Sequence, residues 1–115
     1  MIEALASALL VMAASQTAAA EPPPGLQFGF WRMVAFRARA RELRCASGDL
    51  DQSFEGLRRQ LVARYGRDAF KIPDIPRSGP GECSIALSVY RVNLADWQRE
   101  VAAALGSPPN EAVQR

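Results

Sequence analysis

The chain contains no histidine and a single lysine, Lys71. The first absence removes the commonest general base and the commonest metal ligand. It also leaves every serine and both cysteines without the partner that ordinarily activates a nucleophile. With only Cys45 and Cys83 as thiols, a four-ligand structural zinc site would need carboxylate help. No Cys-x-x-Cys occurs, so a thioredoxin-like redox motif is excluded. Carboxylate pairs exist, Asp49 with Asp51 and Asp96 with Glu100. Their spacing fits helix capping and a solvated helix face, and nothing marks the desolvated carboxyl that acid–base work needs. Ser78-Gly79-Pro80-Gly81 lacks the following Lys-Ser/Thr of a phosphate cradle. No enzymatic activity, metal or cofactor is expected.

A net charge of +2, with 23% charged and 49% hydrophobic residues, is that of a globule rather than a disordered chain. Within 115 residues there is room for one small domain.

Near the start, the apolar run Ala4–Ala14 is followed by Ala18-Ala19-Ala20. An apolar stretch of that length, then small residues at −3 and −1 of a cleavage site, is the secretory-signal pattern. Ala18 and Ala20 fit those positions, which predicts a cleaved segment 1–20 and an exported, periplasmic or secreted product. One feature runs against the pattern: the n-region carries Glu3 and no basic residue. As a spanning helix, Ala4–Ala20 is short and weakly apolar, and no transmembrane span is expected in the mature chain. Residues 21–26, with Pro22-Pro23-Pro24, read as an extended segment.

Two cysteines behind an export signal predict a disulfide, Cys45–Cys83. In the loop-entropy model such a bridge stabilises a chain by about 4 kcal/mol. That is comparable to the total stability of a domain this small.

Three helices are expected, making an all-α fold in a single domain over 27–106. From Cys83, the residues Leu87, Tyr90, Leu94, Trp97, Val101 and Ala104 recur at 4, 3, 4, 3, 4, 3, a helical seam that outweighs the alternation of Ile85, Leu87 and Val89. This predicts a helix over about 84–105, stopped by Gly106 and Pro108-Pro109. A second, about 50–65, carries Leu50, Phe54, Leu57, Leu61 and Tyr65, with Asp49 as N-cap and Gly66 beyond its end. Ser53 and Gly56 on it suggest close approach of a neighbour. The first, about 27–45, carries Leu26, Gly29, Met33, Phe36, Ala40 and Leu43, with Gly48 as a possible stop. Residues 34–41 also alternate as a strand would, but Ala and Arg favour the helix.

The connection 66–82, with Pro73, Pro76 and Pro80, is long for a small bundle. The bridge supplies a reason. It joins the end of the first helix to the start of the third, so the chain must return along the whole domain. The segment reaches about 55 Å when extended, against about 24 Å for the second helix. Helices two and three would run parallel, opposed to helix one, with Ile72 and Ile75 pinning the loop. Residues 107–115 have little to bury and read as a loose tail.

Arginine is the nearest thing to a functional signal, with thirteen residues against one lysine. On a helix, Arg37, Arg41 and Arg44 fall at i, i+4, i+7 and form one ridge, a candidate site for an anion. The plainer reading is a solvated face balanced by Glu42, Asp49, Asp51 and Glu55. Together these features predict a small exported interaction or structural module that binds a protein or an anionic envelope component. The alternative, a cytosolic helical protein using the basic ridge on nucleic acid, is disfavoured by the paired cysteines, and nucleic acid is an unlikely partner.

Overall fold

Pro24 opens the first helix, α1, Pro24–Glu42. A proline at the first helical position sacrifices only an amide that would have no intrahelical partner, and its fixed φ suits the helix. The carbonyl of Pro23 accepts from the amides of Leu26 and Gln27. The extended segment expected over 21–26 therefore ends at Pro23, and α1 starts ahead of 27. The computed structural model describes residues 21–106; the expected signal segment 1–20 and tail 107–115 lie outside the described residues.

Residues 34–41 are helical throughout. The helix stops well before Gly48, in a Schellman arrangement: the amide of Cys45 bonds the carbonyl of Ala40, and that of Arg44 bonds Arg41. Arg44 holds the left-handed position, φ 58°, that glycine usually takes. Helix α2 spans Gly48–Tyr65. It begins ahead of Asp49, which is thus not the N-cap. Ser47 precedes the helix, and its hydroxyl donates to Asp51 (3.0 Å) rather than capping an amide. A short 3-10 turn, Asp68–Phe70, follows, and α3 runs Cys83–Gly106, including the stretch 84–89 and Gly106 itself.

The directions follow from side-chain pairs. Trp97 Nε1 donates to the Leu26 carbonyl, Arg32 donates to Asn93, and Cys45 is bonded to Cys83 with Cα atoms 5.4 Å apart. These matches, ascending on α1 and descending on α3, make the two helices antiparallel. Asp51 meets Tyr90, and Phe54 stacks near Trp97, so α2 and α3 run parallel. This is the three-helix, disulfide-stapled arrangement that the long return connection implied.

The core is aromatic at its centre. Phe30, Phe54, Phe70, Tyr90 and Trp97 are all buried, joined by Leu94 and Val101 from α3. Phe30 stacks on Phe54 (5.5 Å between centroids) and meets Phe70 edge-on (5.2 Å). Such pairs add about 0.5–1.5 kcal/mol each beyond the area they bury. Arg91, Gln98 and Ala102 of α3 face solvent, as the seam requires. The close approach is at Gly29, where a Cβ would overlap the Trp97 indole. Around Gly56, where it was expected, there is open space. No buried side-chain nitrogen or oxygen among the described residues lacks a hydrogen-bond partner.

Ile72 and Ile75 do not pin the return loop. They are 40% and 36% exposed, and every residue from Lys71 to Glu82 is exposed. Phe70 is buried instead, and Arg58 and Gln27 donate to the carbonyls of Phe70 and Ala69. Farther on, Arg39 donates to the Gly79 and Pro80 carbonyls, and Glu42 accepts from the amides of Ser78 (2.7 Å) and Gly79 (3.0 Å). A proline-broken chain has no ladder to join, so its free backbone groups are paired by side chains of α1.

Candidate functional site

Helical geometry puts Arg37 on the same side of α1 as Phe30 and Val34, the side that packs on α2. Its side chain is buried, donates to Glu55 (2.7 Å) and lies 4.6 Å from the centre of the Phe54 ring. A guanidinium in that position is a paired core group, closing the gap between α1 and α2. Arg41, one turn on, is 60% exposed and stands 3.9 Å from Asp51. Arg44 is exposed in the Schellman turn beyond the helix. The three residues thus occupy three different settings, inside, at the edge and outside, and do not present one continuous row. The signal that would have separated them was available: Arg37 lies three residues from Val34 and seven from Phe30, on an apolar stripe.

Asp51 gathers three hydroxyl or guanidinium partners. It accepts from Tyr90 (2.9 Å) and Ser47, with Arg41 beyond. Burial, then the hydrogen bond to Asp51 and its charge, push the Tyr90 phenol far above its ordinary value of 10.0, against the pull of Arg37 and Arg41. Tyr90 therefore stays a neutral donor locking α2 to α3. Glu42 is held below the usual carboxylate range, chiefly by the Ser78 amide, with Gly79 and Arg39 adding to it and desolvation opposing. Both clusters are structural clasps. Asp96 of the other carboxylate pair bonds Arg99 on the surface of α3. Among the described residues no group of three or more His, Cys, Asp or Glu could hold a metal ion.

Two of the larger concavities flank α1. One, about 400 Å³, lies between α1 and the loop over 72–78, with Arg39, Arg41, Arg77, Glu42 and Asp74 at its walls. Its charges are mixed, and Arg39 and Glu42 are already committed to each other and to the loop. The other, about 390 Å³, is an apolar groove along the seam of α1 and α3, away from α2, lined by Phe36, Leu43, Ile85, Ala86 and Val89. Beside it Ile85, Val89 and Val92 are 62%, 39% and 59% exposed. These three recur at 4 and 3, a second helical stripe that the alternation of Ile85, Leu87 and Val89 obscured. A contiguous exposed apolar patch of this kind is the mark of an interaction surface. At the far end of α1, Phe28 and Trp31 form an exposed edge-on pair.

No helix among the described residues is long and apolar enough to cross a membrane. The chain matches no family model, no curated protein and no solved structure.

Proposed function

We propose that this is a small exported protein, periplasmic or secreted, that acts by binding and has no catalytic step of its own. The observation that carries the reading is the Cys45–Cys83 bridge, supported by the apolar run Ala4–Ala14 and the small residues Ala18 and Ala20. Disulfides persist in oxidising compartments and are rare in the cytosol, which weighs against the nucleic-acid alternative. The binding surface is the apolar side of α1 and α3 around Phe36, Ile85, Val89 and Val92, and the partner is a protein or an envelope component. Exposed Arg41 and Arg44 add attraction for anionic partners. With Arg37 engaged in the core, they are a minor contribution.

Expression with the native N-terminus, cell fractionation and intact mass test the reading together. A chain beginning at Glu21, two hydrogens lighter than its reduced form and outside the cytoplasm, is expected. Full-length reduced protein confined to the cytosol overturns it. Binding to anionic vesicles, weakened by salt and by R41E/R44E, would establish the envelope component; the substitutions fall on exposed positions and leave the fold intact.

A further inference from the structure

We infer that the uncovered face of α3 pairs with the same face of a second copy, antiparallel, about a two-fold axis. This names a partner for the binding reading above and rests on that reading only in treating the face as functional. The face is a single stripe: Glu82, Ile85, Val89, Val92, Asp96 and Arg99, spaced 3, 4, 3, 4, 3. Glu82 sits at its start, its carbonyl accepting the first bond of α3 from Ala86. All six residues are exposed.

That spacing is the alternation by which two helices pack along a shared seam. The stripe runs about 25 Å along the helix, too long and too open for a small molecule to cover, and suited to another helix. Its order reads as complementary when reversed. In an antiparallel pair the symmetric partners are fixed by the requirement that each residue meet its mirror in the other copy. Centred midway between Val89 and Val92, the stripe sets Val89 against Val92 of the second copy, twice. It sets Glu82 against Arg99 at each end, and Ile85 against Asp96, whose carboxylate is already bonded to Arg99 in its own helix. Apolar residues meet at the centre and opposite charges at both ends. A parallel pairing would instead set Glu82 on Glu82 and Arg99 on Arg99, like on like. The apolar groove of Phe36, Leu43 and Ala86 borders the stripe and offers each copy a recess for the other's side chains. The loop-side cavity lacks this match, since its walls carry both signs of charge already paired in part.

Light scattering and sedimentation of the purified, oxidised protein over a range of concentrations test the pairing. A dimer is expected, with V92E weakening association by at least about tenfold and leaving helix content and melting temperature of the monomer unchanged, because Val92 is exposed. E82R should weaken the dimer, R99E likewise, and E82R/R99E should restore it. A monomer throughout, or binding to lipid vesicles through this face by a monomer, overturns the inference. So does a dimer insensitive to V92E, and a double reversal that fails to rescue overturns the antiparallel register. Export is read from mass and fractionation alone, so its failure is separable from failure of the dimer.

Discussion

The pair formed by α1 and α3 has two apolar sides, and among the described residues one is covered and the other is not. On the covered side α2 and the Asp68–Phe70 turn close over Phe30, Leu94, Trp97 and Val101, each at most 3% exposed. On the other, Ile85 and Val89 line a groove open to solvent, and Val92 is exposed beyond it. On α3 both sides follow helical spacing, the covered one with Tyr90, Leu94, Trp97 and Val101 and the open one with Ile85, Val89 and Val92. The difference is that among the described residues α2 packs on one side only, and the bridge and the return loop set which side that is. Hydrophobicity marks a surface for burial without saying by what.

The largest expected effect comes from removing the covalent tie between α1 and α3, the pair on which both sides are built. C45A/C83A should lower stability by about 4 kcal/mol in the loop-entropy model, measured by urea unfolding against the oxidised protein. Next, the two sides should respond unequally to truncation. Leu94→Ala on the covered side should cost about 3 kcal/mol, and Val92→Ala on the open side, measured in the monomer at low concentration, should stay within about 0.5 kcal/mol. Equal losses in the monomer would mean that Val92 packs within its own chain. A glycine pair gives a third comparison. Gly29→Ala should destabilise by about 1–3 kcal/mol, because its Cβ has no room beside Trp97. Gly56→Ala, in open space within a helix, should stabilise by up to about 1 kcal/mol, both read from thermal melts.

A smaller gain is expected from Arg44→Gly, about 1 kcal/mol or less, since the left-handed φ there suits glycine. The smallest effect is local and depends on pH. The Glu42 pKa is lowered in the fold, so its contribution is present above the unfolded carboxylate pKa and is lost as pH falls through the folded value. The amide resonances of Ser78 and Gly79 should shift across that acid window before the core unfolds. Their failure to move there would mean that Glu42 does not hold the loop.

The helices were legible because the covered seam of α3 and the Leu50–Tyr65 series of α2 obey one period over many turns. The direction of the return loop was legible too, from cysteine positions and chain reach alone. Helix ends were less so. Pro24 reads equally as a breaker or as a first residue, and Arg44 gives no sign that it will take a glycine's place. The candidate site was least legible. Arg37 belongs by residue type to the surface and by position to the core, and position prevailed because Glu55 and Phe54 were both within reach. Ile85 belongs by type to the core and lies on a side that no other element of the described residues covers.

What the sequence determined by itself was local and pairwise: three apolar periodicities, a connection long enough to return, and two cysteines with one possible partner each. These follow from the geometry of a helix and the reach of a chain, which do not depend on neighbours. The tertiary structure alone decided which arginine is a core residue, which glycine admits a tryptophan and which apolar stripe stays open. Each of those depends on what another element places within a few ångströms, and that is set only when all three helices are docked.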